Sequence, residues 1–463
     1  MTIDSVTVQA GAHYKRGPIY RFFWGRRHRD AWTTPIHVPV LDLDTTHGGL
    51  TVEKIGGGMQ TINATMGAGN GLVYSLRTVD KRPEIKLPAL ARKTLLADLV
   101  RDQTSALHPY APLVVAPLAK AANVPTPTPW LVYIKPNEEQ LGKHKELLSD
   151  RLYMLEEKFT DERGLIGDLS EGHDIISTKK MLTNRFTHHN HFIDKTAYSK
   201  ARLLDLLIGD RDRHEGQWNW AVFKTSGHYL YYPIPKDRDN AFFRFDDGLL
   251  SWLLSRKWAN RKFKTFDEDF TDIKALMIKS EFLDTRILAG VTAQQYDSIA
   301  QLMQKEISDE VIQQAVQKLP PTLYAQQGER LENDLRSRRN ELHKAARKFY
   351  EVLAKKPLII GTDKEEIFEV KRLNDNYTEV TVRSATDGNV TFRRTFYRGE
   401  THEITLHGLC GNDVFNISGQ VKKGLKVIIM PGLGENKIED NSLVRGQKRN
   451  TVVVTSVKTL NKL

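Results

Sequence analysis

The chain contains one cysteine, Cys410, in 463 residues. That excludes an internal disulfide and a thiolate metal cage. Long apolar runs are missing as well. The longest, residues 111–119, carries Pro112 and Pro117 and falls far short of the ~20 residues of a spanning helix, so no transmembrane segment is expected. Residues 1–10 are polar and strand-like, without the pattern of a signal peptide. The charge is not concentrated either. Lys+Arg number 68 against 57 Asp+Glu, a net +11, but the basic residues are spread along the whole chain. Nucleic-acid binders gather them in tails or stripes, so no specific nucleic-acid partner is expected. A hydrophobic content of 40% excludes disorder.

The densest basic patch holds Arg21, Arg26, Arg27, His28 and Arg29, mixed with Phe22, Phe23, Trp24 and Trp32. It reads as a solvated rim beside aromatic packing; contact with phosphate or a membrane surface is the alternative.

Three regions differ in pattern. After an N-terminal strand and aromatic-basic extension (1–44), residues 45–158 are rich in short β-branched runs: 51–55, 62–66, 73–78, 131–134 and 152–157 read as strands, and 90–107 as a helix. Residues 159–356 read as helical, with helices over 198–208, 294–315 and 330–354. Residues 357–463 turn strand-like again, with Asp387-Gly388 and Gly411-Asn412 as turn pairs. The expectation is an α+β chain: a two-lobed core, β-rich N-lobe and helical C-lobe, followed by a small β-rich C-terminal domain.

Two acid-bearing loops carry the chemistry. Ile208-Gly209-Asp210-Arg211-Asp212-Arg213-His214-Glu215-Gly216-Gln217 follows an apolar helix, and Tyr231-Tyr232-Pro233-Ile234-Pro235-Lys236-Asp237-Arg238-Asp239-Asn240 ends an apolar strand-like run. Acid loops in this order suit phosphoryl transfer: one Asp orients a hydroxyl nucleophile, another holds Mg²⁺ against nucleotide phosphates.

Asp212-Arg213-His214-x-x-Gln217 resembles the catalytic loop of lipid-kinase-type and other atypical kinases, which carry Asn at the last position. Asp239-Asn240 resembles the metal motif of those enzymes, and the frame around Asp210 resembles that of secretory-pathway kinases. The resemblance implies a kinase-like core using ATP and Mg²⁺, with an unknown hydroxyl as acceptor. Asp212 would be the base, with His214 bracing its loop. Asp239 would be the metal ligand and Gln217 a second metal contact. Gly56, Gly57 and Gly58 would form a phosphate loop, and Arg77 or Lys81 would be the phosphate cation, placed by Asp98, Asp102 or Gln103. Glu156 would lie in the strand and hinge beside adenine. Arg77 stands where lysine is usual and Gln217 where Asn is usual. A pseudokinase-like binding module therefore stays open beside an active enzyme.

A wider resemblance rests on Tyr20-x-x-x-Trp24-Gly25-x-x-x-Arg29, Trp32-Thr33-Thr34-Pro35 and Gly56-Gly57-Gly58-x-Gln60-Thr61. It is to an uncharacterised Gram-negative envelope family whose long members add a metallophosphoesterase and an outer-membrane barrel. It implies a middle module of such a protein with an envelope protein partner and a periplasmic or surface location. A cytoplasmic location is the alternative.

His188-His189-x-His191 lacks a spaced fourth ligand and reads as a polar loop, and no Gly-x-Ser-x-Gly elbow exists for hydrolysis. Gly408-Leu409-Cys410-Gly411-Asn412-Asp413 and Pro431-Gly432-Leu433-Gly434-Glu435-Asn436 are two imperfect copies of a glycine–aspartate Ca²⁺ turn. They are too few for a calcium solenoid, so tight turns of a β appendage are expected ahead of a Ca²⁺ site. Cys410 reads as a small buried residue.

Overall fold

The computed structural model describes residues 4–56, 61–88, 94–256, 258–445 and 450–454. The N-terminal extension forms β1 (Ser5–Val8), α1 (Pro18–Trp24), α2 (Arg29–Thr33) and β2 (Ile36–Pro39), with β1 and β2 antiparallel. The basic patch does not face water throughout. Arg27 and Arg29 are buried, because Asp102 receives both: Arg29 at 2.6 and 2.7 Å, Arg27 at 3.1 Å. Burial of guanidinium groups requires such a partner.

The N-lobe is one antiparallel sheet in the order β3-β4-β5-β7-β6. Its strands are β3 (Leu50–Gly56), β4 (Asn63–Ala68), β5 (Val73–Thr78), β6 (Trp130–Ile134) and β7 (Arg151–Glu157), with α3 (Leu95–Asp102), α4 (Ala111–Ala121) and the short α5 (Lys145–Leu148) between them. Strand alternation separates two faces. Ala64, Met66, Tyr74, Leu76, Tyr153 and Leu155 point into one apolar core. Asn63, Thr65, Ser75, Arg77 and Glu156 occupy the alternate positions, with Asn63 paired to Arg77 and Ser75 to Glu156 across the sheet. That second face overlooks the C-lobe. The expected helix over 90–107 is shorter: 89–93 lie outside the described residues, and the helix becomes a 3₁₀ turn at Gln103–Ala106.

The C-lobe is not wholly helical. β8 (Asp174–Ser177), β9 (His191–Ile193), β10 (Trp218–Thr225) and β11 (His228–Pro235) form a mixed sheet in the order β8-β10-β11-β9. The β10–β11 hairpin turns at Ser226 (φ 48°) and Gly227 (φ 83°), both left-handed as a two-residue hairpin turn demands. Its helices are α6 (Thr178–Thr187), α7 (Lys195–Ile208), α8 (Leu249–Leu254), α9 (Ile273–Met277), α10 (Glu281–Ile287), α11 (Ala293–Glu306), α12 (Asp309–Val316), α13 (Pro321–Asn340) and α14 (Leu342–Ala354). Two expected long helices are each split. Ser308 caps α12 by accepting from Val311 N–H, which ends α11. Glu341, at φ −92° and ψ 3°, separates α13 from α14.

α7 is the core helix. Asp194 caps it by accepting from Ala197 N–H at 2.8 Å, and Gly209 (φ 70°) ends it, the αL stop that favours glycine. Leu203, Leu204, Leu206, Leu207 and Ile208 are buried on all sides. Truncating one such leucine to alanine costs about 2–5 kcal/mol.

The C-terminal domain comprises β12 (Leu358–Ile360), β13 (Glu366–Arg372), β14 (Tyr377–Ser384), β15 (Val390–Tyr397), β16 (Glu403–His407), β17 (Val414–Ser418), β18 (Gln420–Val421), β19 (Lys426–Met430), β20 (Lys437–Asp440), β21 (Leu443–Val444) and β22 (Thr451–Val453). Its turns stack as parallel coils. β13, β17 and β20 pair in parallel, as do β16, β19 and β22, and β18 with β21. The two glycine-rich copies are successive coil corners, so the β appendage is a short solenoid after all. Asn436 Oδ1 accepts Asp413 N–H at 2.9 Å, 23 positions apart, and Asn412 Oδ1 accepts Glu435 N–H at 2.9 Å. These side-chain amides stitch one corner to the next. Cys410 is half-buried rather than buried.

Candidate functional site

The two acid loops meet under the polar face of the N-lobe sheet, and one buried carboxylate holds both. Asp205 on α7 contacts Arg213 of the first loop at 3.3 Å and Arg238 of the second at 3.0 Å. It also takes Arg202 at 2.8 Å, which reaches Asp284 at 3.0 Å. All five side chains are buried. Arg213 further donates to the carbonyls of Lys236 (2.6 Å) and Gln217 (3.1 Å), and Lys236 N–H donates to Gln217 O at 2.9 Å. The loops are thus joined through backbone and through charge. Asp210, buried beside them, accepts Asp212 N–H at 3.0 Å. Burial pushes its pKa up to about 7 against the opposing pull of Arg213.

This frame displays four acids and their cations. Arg77 on β5 pairs with Asp237 and lies 3.4 Å from Glu156 on β7. Lys81 pairs with Asp239. Gln217 Nε2 donates to Asp237 at 3.3 Å. Asn240 Nδ2 donates to Asp239 at 3.0 Å and reaches Asp212 at 3.5 Å. Lys279, between α9 and α10, contacts Asp212 at 2.5 Å. Asp237 sits at φ 53°, a conformation that costs a non-glycine residue about 1–3 kcal/mol; its bonds to Arg77 and Gln217 hold it there.

Charge balance sets the proton affinities. Burial alone would raise Asp237, but Arg77 and then Lys81 outweigh it and hold the carboxyl well below its usual range. Burial and the repulsion of Asp237 raise Asp239, with Lys81 opposing. Glu156 is raised by burial, with Arg77 opposing. Burial would lower Arg77, but Asp237 and Glu156 raise it, so it stays charged.

The structure places the expected residues as follows. Asp212, Gln217, Asp239, Arg77, Lys81 and Glu156 come together in one cleft. Glu156 is directed at Arg77. Gly56 ends β3 opposite Asn63; Gly57 and Gly58 lie outside the described residues. His214 caps the turn Glu215–Gln217, its Nδ1 accepting from Gly216 N–H at 3.0 Å, and makes no contact with the acids. The expected brace of the cation is different: Asp102 is committed to Arg27 and Arg29, and Glu156 takes its place. Asp237 and Lys279 are additions to the residues read from the sequence, whereas Asn240 stands in the Asp239-Asn240 motif. The Asp237-x-Asp239 spacing is a signal for the first; Lys279 has none. Of the three histidines at 188–191, the rings of His188 and His191 lie 4.9 Å apart, and the hydrogen bonds of His188, His189 and His191 go to Asn184 O at 3.3 Å, Glu366 at 3.0 Å and Tyr231 at 2.5 Å.

The donors Asp237, Asp239, Gln217 and Asn240 are all oxygen-bearing, the set a hard cation takes. Among the described residues no group of three His, Cys, Asp or Glu closes on one point. The side chains therefore fit part of a Mg²⁺ shell, the remainder being phosphate oxygens and water, as that ion prefers. They do not form a self-contained cage.

No known family description matches the chain, and no curated protein does. Among solved structures it is similar to the Helicobacter pylori proinflammatory kinase CtkA, at 13% identity over 67% of this chain and 98% of that one, with a TM-score of 0.36. It is also similar to the Golgi casein kinase (10% identity, 75% and 84% covered, TM-score 0.32). A third is the Rio2 kinase from Chaetomium thermophilum, solved as an ADP/Mg²⁺–phosphoaspartate complex (12% identity, 64% and 72% covered, TM-score 0.30). The chain is an α+β protein with a two-lobed core and a β-rich C-terminal domain, its acid cluster between the lobes.

Proposed function

We propose that the cleft binds ATP with Mg²⁺ and transfers the terminal phosphoryl group to a hydroxyl acceptor. One observation carries this: two acids of the second loop are each paired with a cation from the opposite lobe, Asp237 with Arg77 and Asp239 with Lys81. A nucleotide triphosphate offers both cations an anionic partner and leaves both carboxylates to a metal, so the pairs exchange with no charge left unmatched. Bound Mg²⁺ would supply charge neutralisation at the phosphates. Glu156 holds Arg77 toward the cleft. Asp212 stands apart from the phosphate cations, linked through Asn240 to Asp239, where a carboxylate can accept a hydroxyl proton.

A second reading, nucleotide or partner binding without transfer in a bacterial envelope protein, has its own support. Lys279 contacts Asp212 at 2.5 Å, so the carboxylate already has a partner where an acceptor hydroxyl would have to approach. Release of ADP from ATP with Mg²⁺, compared between wild type and Asp212→Asn, separates the two. Transfer predicts turnover in wild type that falls by about 10²-fold or more in the variant. Nucleotide binding with equal, background turnover in both sinks transfer and leaves the binding module.

A further inference from the structure

The face made by α1 and α8 is a buried pattern turned outward. α8 reads Leu249-Leu250-Ser251-Trp252-Leu253-Leu254 and is followed by Ser255. Helical spacing puts Ser251 and Ser255 on one side, and that side is the buried one. Ser251 Oγ donates to Trp24 O at 2.8 Å, and Ser255 Oγ to Trp252 O at 2.8 Å. The apolar residues face water: Leu249 is 51% exposed, Trp252 47%, and Leu253 and Leu254 44% each. Trp258, just beyond, is 75% exposed. α1, packed beside α8, adds Ile19 at 79% and Phe22 at 65%. A surface helix ordinarily does the reverse, and contiguous exposure of this kind marks an interaction face.

We infer that the α1–α8 face docks on the surface of an anionic lipid bilayer. Between the two helices lies a hollow of about 890 Å³, with Arg16, Arg21 and Arg26 in its lining and Phe22, Leu249 and Trp252 beside them. Guanidinium groups edged by apolar side chains repeat the order of a phospholipid, headgroup then acyl chain. Arg256 extends the cationic rim, lying 4.2 Å over the Trp252 ring. Two acids of the patch are engaged by basic residues outside the hollow, and the exposed Asp30 shares Arg21 with it, leaving Arg26 as the exposed cation. Asp247 accepts Arg27 N–H at 2.6 Å, Asp246 lies 3.9 Å from Lys264, and Asp30 pairs with Arg21 at 3.2 Å. Exposed tryptophans beside arginines are the composition of an interfacial surface. This inference does not rest on phosphoryl transfer.

Co-sedimentation of the full chain with phosphatidylcholine vesicles, with and without about 30% phosphatidylglycerol, at about 0.1 M salt tests it. Wild type sediments with the anionic vesicles. The double variant Trp252→Ser/Trp258→Ser loses binding by about tenfold or more. Arg21→Glu/Arg26→Glu loses the preference for anionic over neutral vesicles. Trp252, Trp258 and Arg26 lie at the surface, so circular dichroism and melting of the tryptophan variant stay as in wild type; Arg21 is half-buried and bonded to Arg16 O and Asp30, so if either double variant melts early, Trp258→Ser or Arg26→Glu alone gives the same comparison. Wild type left in the supernatant with both vesicles overturns the proposal, as does equal sedimentation of wild type and tryptophan variants. A dimer in light scattering that Trp258→Ser dissolves, without vesicle binding, also overturns it and gives the face to a second copy.

Discussion

The interlobe cleft and the C-terminal coils both bury carboxylates, and they neutralise them by opposite means. In the cleft every acid meets a cation: Asp205 meets three arginines, Asp237 meets Arg77, Asp239 meets Lys81 and Asp212 meets Lys279. In the coils Asp413 is buried with one backbone bond, from Glu366 N–H at 2.9 Å, and its second oxygen has no hydrogen-bond partner. Burial, with the backbone N–H opposing and Glu366 adding repulsion, pushes its pKa up to about 8. The cleft gives each of these acids a cation as partner; the coil domain tolerates one without a cation by keeping it protonated. Charges retained in pairs can be handed to a ligand, whereas a neutralised one serves packing only.

The comparison is broken most severely at Asp205. Asp205→Asn removes the carboxylate that three buried guanidinium groups share, leaving Arg202 to Asp284, Arg213 to Asp210 at 3.6 Å and Arg238 without an ion-pair partner, and loss of one member of a buried pair costs about 3–5 kcal/mol. Denaturant unfolding should show that loss, with the acid loops losing their common anchor. Lys279→Ala lies at the other end of the same network but at the surface. An exposed pair contributes about 0–1 kcal/mol, so its unfolding free energy should change by no more than that.

The coil domain gives an effect between these, and its sign depends on pH. The native Asp413 carboxyl binds its proton up to about pH 8, while an unfolded aspartate releases it near pH 4, about its ordinary value. The native state therefore holds the extra proton across that window, and wild-type stability falls as pH rises through it. Asp413→Asn removes this dependence: the variant should match wild type near pH 4 and exceed it increasingly toward pH 8. Asp210, raised to about 7, adds a slope of the same sign in both proteins and cancels in the difference. An equal gap at both pH values would contradict the burial account of Asp413.

Much of the cleft was legible because its parts announce themselves locally. The strands at 50–56, 63–68 and 73–78 alternate apolar and polar residues and are punctuated by glycine, and α7 carries an Asp cap, a leucine face and a glycine stop. Asp212 and Asp239 stand out as acids following apolar elements. The rest depends on distance along the chain. Lys279 reaches Asp212 across 67 positions, and Arg77 reaches Asp237 across 160; neither pairing leaves a mark in local spacing. Asp205 lies inside an apolar helix, and nothing in its local spacing points to Arg213 and Arg238 around it. Glu156, placed from the sequence beside adenine, lies in β7 next to β5, where register with Ser75 aims it at Arg77. The solenoid was hidden because its coils repeat in backbone pairing more than in residues.

The central claim is that the paired charges of the cleft exchange partners for nucleotide and metal. Thermal unfolding with ATP plus Mg²⁺, in wild type and in Asp239→Ala, tests it directly. At a ligand concentration of about 100 Kd, wild type should gain about 2.7 kcal/mol, and Asp239→Ala should lose most of that gain while still folding. No shift in wild type, or an undiminished shift in Asp239→Ala, would contradict the account.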